Sequence, residues 1–312
     1  ASSEAENARL VLVADLVSGY FGIRALDAET DVLQRSLQVQ ERALALLQAR
    51  HEGGASSGLD VAQQQAQLDA NRTQLTLLRK QRLQMEHALA TLTGTPASSF
   101  RLEVGALPGG QPMVPVSLPS DVLQRRPDVA AAERAVAAAN AQLGWARTAW
   151  YPSIVLTASG GWESKHLSSL FDAPSLLWAL GGSLAQSVFD GGRIRAREDQ
   201  AVAAHQVTVA SYRQAVLRAL QEVEDGLTNL SALELAQQQS QSAIRSAQKV
   251  FDIANERYVG GVSTYLDVVT AQQNLLNNQR QSVQLRGQQL QGTAFLVKAL
   301  GGGWEEQIIA VH

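Results

Sequence analysis

Two aspartates stand at matching places in this chain, each six residues beyond a pair of glycines. The glycine pairs are Gly53 with Gly54 and Gly260 with Gly261, and the aspartates are Asp60 and Asp267. A glycine pair favours the end of a helix, so each aspartate falls in the first turn of the helix that follows. A carboxylate there stabilises the positive end of that helix. The simplest chemistry of both residues is therefore electrostatic.

The other reactive side chains form no catalytic or metal-binding pattern in the sequence. The five histidines are scattered, with no HExxH pattern and no paired metal spacing: His51, His87, His166, His205 and His312. No GxSxG elbow occurs, and "GGASSG" lacks the lysine and hydroxyl residue of a phosphate-binding loop. The acidic cluster at residues 222–225 is typical of a solvated helix face. The sequence predicts no enzyme, no cofactor and no metal.

The composition excludes several further classes of function. The 312 residues carry a net charge of −3, which is not the basic footprint of a nucleic-acid-binding protein. The absence of cysteine leaves neither disulfides nor thiolate metal sites. No run of 18 apolar residues occurs, so no transmembrane helix is expected. Aromatic residues make up 5%, while alanine, glutamine and leucine are abundant, which favours long helices packed through small side chains.

The two glycine turns belong to an internal repeat with an offset of 207 positions (257 − 50). Residues 50–61 and 257–268 are identical at seven of twelve positions, and the register continues without a gap to Gly94 and Gly301. Repetition on this scale indicates a duplicated structural unit. Each copy reads as a helix, a glycine-bearing break and a second helix.

The second copy shows the helical pattern in more detail. Residues 192–257 contain no proline, and as one helix they would be roughly 100 Å long at about 1.5 Å per residue. Ser263 or Thr264 can cap the returning helix. That helix carries an apolar residue at every seventh place, which predicts an antiparallel coiled-coil hairpin: Val262, Val269, Leu276, Val283, Leu290 and Val297. A helical hairpin with no role beyond packing is the alternative on periodicity alone.

The segment between the copies changes character twice. Residues 95–126 contain five prolines and several glycines, which predicts a connector without regular structure. Pro127 and Asp128 then mark the start of a helix. This alanine-rich helix should end at Tyr151, because the residue before Pro152 avoids the helical conformation.

After Pro152, apolar residues recur at every second position in two runs near ten residues long. One face of each run is apolar: Ile154, Leu156, Ala158, Gly160 and Trp162, then Trp178, Leu180, Gly182 and Leu184. About ten residues is the length of a tilted membrane-spanning strand, and Trp162 and Trp178 lie where an interfacial aromatic belt would sit. A soluble amphipathic hairpin is the alternative. Two strands are marginal alone, so other strands should pair with them.

In the order of its motifs, the chain resembles the TolC/OprM family of bacterial outer-membrane efflux channels, closest to the lipoprotein branch that serves resistance-nodulation-division pumps. The motifs are "LPSDVLQRRPDVAAAERAVAAANAQLGWARTAWYPSIVLTASGG", "FDGGRIRA", "ERYVGGVSTYLDVVTAQ" and "ALGGGW". The resemblance implies a homotrimer that pools four strands per protomer into a twelve-stranded membrane β-barrel, with the helices continuing as a periplasmic tunnel. It implies as partners a periplasmic adaptor (membrane fusion protein), an inner-membrane pump and outer-membrane lipid.

The resemblance also assigns roles to residues at the glycine turns, which would be the tips of the helical hairpins. Asp267 matches a gating aspartate, Tyr258 a tyrosine that hydrogen-bonds across the closed tips, and Asp60 its acceptor. Three Asp267 carboxylates around a threefold axis would select cations. Two positions depart from the family pattern, with Thr270 in place of a second aspartate and Ser263 in place of an arginine. We therefore expect fewer interactions to hold the hairpin tips closed in this protein.

These observations predict a mainly α fold divided into six segments. They are a first-repeat helical hairpin at 1–94, a connector at 95–126, a helix leading to the barrel at 127–151, a strand hairpin with its extracellular loop at 152–190, a second-repeat helical hairpin at 191–300 and a tail at 301–312. Two full repeats need 414 residues (2 × 207). We therefore expect an N-terminal truncation that removes the first strand pair and the family's lipid-bearing cysteine. Three such chains, with six strands, should not close a pore.

The function expected from the resemblance is a passive exit duct of a tripartite efflux pump. The duct would carry drugs or other toxic compounds across the periplasm and the outer membrane. A soluble periplasmic adaptor or scaffold built on coiled-coil hairpins is the alternative. It explains the repeat, but it explains neither the two tryptophan-ended strands nor the proline-bounded helix before them.

Overall fold

The computed structural model describes residues 2–110, 126–165, 168, 171 and 176–302. In these ranges the chain is mainly α-helical, as predicted, with one two-stranded antiparallel sheet. The elements are α1 (Ser2–Glu52), α2 (Gly58–Leu92), α3 (Pro127–Thr148), β1 (Ser153–Trp162), β2 (Leu176–Ala185), α4 (Arg193–Val259) and α5 (Tyr265–Ala299). The expectations for residues 111–125, for residues 303–312 and for most of the interstrand loop lie outside the described residues.

The helix boundaries follow the residues that predicted them. α4 runs unbroken for 67 residues, or about 100 Å at 1.5 Å per residue, because no proline interrupts it. α3 begins at Pro127, as predicted, and ends at Thr148, three residues ahead of Tyr151. Residues 95–110 of the connector contain neither helix nor strand. Among the described helices, none combines the length and apolar character needed to cross a membrane.

The chain divides into two compact units, Ala1–Asp128 with Leu217–His312, and Val129–Val216. In the first unit, α1 packs along both α2 and α5. The core of this three-helix contact consists of leucines from all three helices: Leu33, Leu37, Leu44, Leu68, Leu75, Leu78 and Leu276. The first hairpin and the returning helix of the second hairpin therefore bury a common apolar stripe.

The seven-residue stripe on α5 is buried only in its middle. Val269, Leu276 and Leu290 are 7%, 1% and 1% exposed, whereas Val262 and Val297 are 68% and 44% exposed. The prediction of a continuous seam is therefore wrong at both ends. Val262 precedes the first residue of the helix. At the other end of α5, Leu296 and Ala299 pack with Val223 of α4, and Val297 lies outside this cluster.

A buried cluster of four charged side chains fastens the connector to the first hairpin. Arg24 pairs with Asp27 at 2.9 Å, and Arg82 pairs with Asp27 at 2.6 Å and with Glu86 at 2.8 Å. The same side chains hydrogen-bond the backbone of residues 102–105. Because a buried charge is costly unless it is paired, this closed arrangement holds the connector firmly against α1 and α2.

Candidate functional site

The two glycine turns close their helices with the same hydrogen bonds. In each turn the second glycine donates its amide to the carbonyl three residues earlier, and the next residue donates to the carbonyl five residues earlier. The distances are 2.9 and 2.7 Å after α1, and 3.0 and 2.9 Å after α4. This is the Schellman motif, and Gly54 and Gly261 take the left-handed φ of 74° and 73° that it needs. The repeat in the sequence is thus a repeat of backbone geometry.

Asp267 caps its own helix. Thr264 is the N-cap residue of α5, and both its amide and its hydroxyl donate to Asp267 Oδ2 at 3.2 Å. Of the two cap candidates in the sequence, the structure therefore uses Thr264. The arrangement is the one expected of a carboxylate in a first helical turn. The Asp267 side chain is exposed, so its charge faces solvent in the single chain.

Asp60 behaves differently from its repeat counterpart. α2 is capped by Ser57, whose hydroxyl accepts a first-turn amide at 3.1 Å. The Asp60 Oδ2 atom accepts instead from the Ser56 hydroxyl at 3.2 Å and from the Tyr258 hydroxyl at 3.4 Å. The structure therefore brings together two of the three turn residues that the sequence singled out, through a long and partly exposed hydrogen bond between the two hairpins.

A second tyrosine at the turn, Tyr265, was not singled out by the sequence patterns. The Tyr265 ring packs edge to face on Tyr258, with centroids 5.0 Å apart, and Tyr265 is 5% exposed. Its hydroxyl donates to Gln64 Oε1 at 2.9 Å, and Gln64 is fully buried. Burial raises the pKa of Tyr265 to about 12, and the neighbouring Tyr258 and Asp60 add to the shift.

Buried amides continue from Gln64 away from the turns. Gln64 donates to the Gln40 carbonyl oxygen at 3.0 Å, and Asn71 donates to Gln40 Oε1 at 3.0 Å. On α5, Gln273 accepts from Asn71 at 3.4 Å and from Gln67. A slip of one helix would leave these buried amides without partners, which is costly. The amides therefore specify the register of α1, α2 and α5.

The two positions that depart from the family pattern differ in their surroundings. Thr270 is exposed on α5. The Ser263 hydroxyl oxygen is buried and makes no hydrogen bond within the described part of the chain. Ser263 lines a groove of about 340 Å³ together with Val250, Ile253, Ala254, Arg257 and Asp267. Arg257, on α4, is thus the cation that shares this groove with Asp267.

In the second unit, the strand register places both predicted apolar faces on one side. β1 and β2 pair antiparallel over their full length, from Ser153 with Ala185 to Trp162 with Leu176. Opposed residues project to the same side of the sheet. The large apolar residues of that side are 51% to 82% exposed: Ile154, Leu156, Trp162, Leu176, Trp178, Leu180 and Leu184. A continuous apolar face this bare marks a surface that contacts lipid or further protein.

Both ends of the strand hairpin carry exposed aromatic side chains. Trp162 and Trp178, singled out in the sequence, lie at the loop end and are 53% and 72% exposed. Trp150, Tyr151 and Phe189 lie at the other end and are 52%, 73% and 93% exposed. These three flank the alternating runs instead of continuing them, so a period-two pattern did not include them. Ten residues, about 34 Å along a strand, separate the two ends.

Asp190 fixes the start of α4. Its carboxylate accepts the amides of Gly192 at 2.9 Å and Ile194 at 2.7 Å. Gly191 and Gly192 have φ of 64° and 86°, a conformation that glycine adopts without strain. The amide bonds, chiefly the one from Ile194, hold the pKa of Asp190 below its ordinary value. The "DGG" of the sequence motif is therefore both a turn and a helix cap.

Comparison with known proteins matches the chain to one family. The family model for outer membrane efflux proteins matches residues 1–95 and 118–302. The pyoverdine export outer membrane protein OpmQ of Pseudomonas aeruginosa is 34% identical over 299 residues, and the toluene efflux pump outer membrane protein TtgF of Pseudomonas putida is 36% identical over 299 residues. Each comparison covers 95% of this chain and 62% of the relative, so the chain spans less than two thirds of their length.

Solved structures agree with this match. A membrane protein from Pseudomonas aeruginosa superposes with a TM-score of 0.90 at 31% identity, over 99% of this chain and 70% of that one. The outer membrane protein VceC from Vibrio cholerae superposes with a TM-score of 0.86 at 30% identity, over 97% of this chain and 73% of that one. From its motifs, its fold and these matches, the chain belongs to the outer membrane efflux protein family.

Proposed function

We propose that the protein to which this chain belongs is the outer-membrane channel of a tripartite efflux pump. It would be a passive exit duct for drugs or other toxic compounds. The names of the relatives support this, since TtgF is a toluene efflux pump protein and OpmQ a pyoverdine export protein. The observation that carries the proposal is the bare apolar face of a ten-residue strand pair in a chain otherwise built of long helical hairpins.

The dimensions of the strand hairpin support a place in the membrane. Each strand has ten residues, about 34 Å in length. Tilted by about 40°, it covers roughly 26 Å, close to the apolar band of about 25 Å on outer-membrane barrels. Among the described residues the sheet has two strands, so one edge of each strand lacks backbone partners, and in lipid those groups must pair. Strands from further copies, in a homotrimer, would supply the partners.

The glycine turns are the tips of the helical hairpins and the place of the proposed periplasmic gate. Tyr258 and Asp60 connect the two hairpins there through a hydrogen bond of 3.4 Å, which is weak beside the buried amides behind it. Breaking this bond costs little, and the buried Tyr265–Gln64 bond that joins the same two hairpins is the stronger hold on the tips. Asp267 is exposed at the same turn, and three copies of it around a threefold axis would form an anionic ring that favours cations.

The proposed partners follow from the passive character of the duct. A passive duct supplies no energy, and the relative TtgF is named an efflux pump outer membrane protein. We therefore expect an inner-membrane pump to drive transport and a periplasmic adaptor to join pump and channel. The adaptor would engage the channel from the periplasm, while outer-membrane lipid surrounds the strands.

Single-channel recording on the full-length protein in planar bilayers tests the proposal. We expect stepwise conductance with a preference for cations, and a need for detergent during purification. The competing function, a soluble periplasmic adaptor or scaffold, requires no detergent and conducts nothing. A full-length protein that stays soluble without detergent and shows no conductance would rule out the channel.

A further inference from the structure

The groove beside the second glycine turn repeats a surface of the first hairpin. It has a volume of about 340 Å³ and lies between α4 and residues 263–267. The repeat offset of 207 positions relates Ala254, Ser263 and Asp267 of this groove to three residues of the first hairpin: Leu47, Ser56 and Asp60. Because duplicated units pack through corresponding surfaces, what the first-hairpin surface binds indicates what the groove can bind.

The first-hairpin surface is occupied by the second hairpin of the same chain. Leu47 lies in a buried cluster with Tyr265, and Tyr258 packs against that cluster. Asp60 accepts from the Ser56 hydroxyl at 3.2 Å and from the Tyr258 hydroxyl at 3.4 Å. This surface therefore receives a turn of the other repeat unit, with an aromatic hydroxyl that donates to its carboxylate.

The groove has no such occupant in the single chain. The Ser263 hydroxyl oxygen is buried and, within the described residues, makes no hydrogen bond, whereas its counterpart Ser56 is paired. Val250 and Ile253 on the groove wall are 56% and 45% exposed, and the Asp267 side chain is exposed as well. A buried hydroxyl without a partner is costly. Together with the bare apolar wall it points to a binding partner outside this chain.

The repeat identifies His51 as the counterpart of Tyr258 (258 − 207). The His51 Nδ1 atom lies 2.9 Å from the Ser56 carbonyl oxygen. Because a carbonyl oxygen only accepts, Nδ1 carries the hydrogen of that bond. The Nε2 atom makes no hydrogen bond in the described part of the chain, so it is free to accept from a hydroxyl or, in the charged ring, to donate to a carboxylate. The groove offers both groups, at Ser263 and Asp267.

His51 of the same chain cannot reach the groove. Leu47, one turn before His51 on α1, packs against Tyr265 at the start of α5. Asp267 follows Tyr265 by two residues, which places it about 200° around the helix, on the side turned away from α1. A His51 side chain that enters the groove therefore belongs to another copy of the chain.

We propose that the groove binds the first glycine turn of a second copy, with its His51 against Asp267 and the free hydroxyl. The inference rests on the proposed homotrimer and adds a contact at its gate. The charges are complementary, since the last turn of α1 carries the basic residues Arg50 and His51 and the groove presents a carboxylate. Glu52, the next residue, suits Arg257 of the groove. In a closed ring of copies every groove is filled in this way, so each second turn is held twice, by its own first hairpin and by that of a neighbour.

Cross-linking between two tagged versions of the full-length protein tests this contact. One version carries His51→Cys and the other Asp267→Cys, and the two are produced together. None of the 312 residues is a cysteine that would compete. A short bifunctional maleimide should join them into a two-chain product that carries both tags. A link between two Asp267→Cys chains carries one tag only, so it is not mistaken for the proposed contact.

The matched control places Tyr258→Cys in one version and Asp60→Cys in the other. These two residues meet within one chain, so no product with both tags is expected. Should Asp267→Cys fail to fold, the nearly isosteric Ser263→Cys takes its place, and it should give the same two-tag product with His51→Cys.

The outcomes separate this contact from the proposed function. Absence of the two-tag product with the groove cysteines, or an equal yield in the control, would overturn the contact. An unaltered protein that conducts while no such product forms would leave the proposed channel intact. A full-length protein that stays a single chain in detergent and conducts nothing would overturn both.

Discussion

Replacing Tyr265 with phenylalanine is expected to loosen the turns far more than the same change at Tyr258. The two rings touch and both substitutions remove one hydroxyl. The Tyr265 hydroxyl, however, donates at 2.9 Å to fully buried Gln64, and the Tyr258 hydroxyl at 3.4 Å to partly exposed Asp60. In Tyr265→Phe the Gln64 oxygen stays buried without a donor, which costs about 1–3 kcal/mol. In Tyr258→Phe, Asp60 keeps the Ser56 hydroxyl, and the loss is about 0.5 kcal/mol.

Hydrogen exchange followed by mass spectrometry on the full-length protein measures this difference. Local opening governs the exchange of backbone amides, so a loss of about 1–3 kcal/mol speeds exchange around Gln64 by roughly 5–150-fold. Tyr258→Phe serves as the control and should speed it about twofold. Equal acceleration in both variants, or no acceleration in Tyr265→Phe, would refute the argument that burial sets the strength of these bonds.

Three further outcomes are expected. Asp267→Ala removes the acceptor of the Thr264 amide and costs α5 about 0.5–2 kcal/mol. In the proposed trimer it should also raise single-channel conductance and antibiotic leak. The pKa of Tyr265 is raised from 10.0 to about 12. Its contribution to the free energy of unfolding is therefore complete below pH 10 and is lost as the pH rises from 10 to 12, and chemical denaturation at several pH values measures this loss. Asp27→Asn leaves Arg24 and Arg82 short of a buried partner and costs about 3–5 kcal/mol in unfolding experiments.

Each of these expectations has a control. Asp267→Asn keeps an acceptor oxygen, so it should restore the cap without the cation preference. Unchanged conductance and selectivity in Asp267→Ala would reduce the residue to a helix cap. A Tyr265→Phe variant that still loses stability between pH 10 and 12 would assign the loss to another group. The control for Asp27→Asn is Asp31→Asn, because Asp31 pairs with Arg35 at the surface. This substitution should lower the free energy of unfolding by at most about 1 kcal/mol. An equally small loss in Asp27→Asn would contradict the stabilising role of the buried cluster.

The sequence predicted the features that depend on local pattern. The absence of proline predicted the unbroken α4, and the glycine pairs predicted where α1 and α4 end. The alternation of apolar residues predicted the two strands and placed Leu156 and Leu180 on the apolar faces of those strands. These features depend on backbone preference and side-chain period, which neighbouring residues determine.

The sequence did not predict the features that depend on contacts between distant helices. Asp60 and Asp267 hold equivalent places in the repeat, yet one bonds across hairpins and the other caps its own helix. The difference arises because only the second turn carries a tyrosine, and because α1 packs against both α2 and α5. Gln40 and Gln64 look like two among many solvated glutamines, and only the three-helix contact buries them. The seven-residue stripe was overextended for the same reason, since Leu296 and Ala299, not Val297, face α4 at this end of α5.

The most direct test of the whole account is the accessibility of successive residues on β1 in a lipid bilayer. The 312 residues contain no cysteine, so none of them competes with a single cysteine introduced for spin labelling. In the full-length protein one label is placed at Leu156, on the apolar side, and another at Thr157, on the opposite side. We expect the label at 156 to collide with oxygen dissolved in lipid, and the label at 157 to collide with a water-soluble nickel reagent. Equal exposure of both labels to the water-soluble reagent would show a hairpin outside the membrane and contradict the channel.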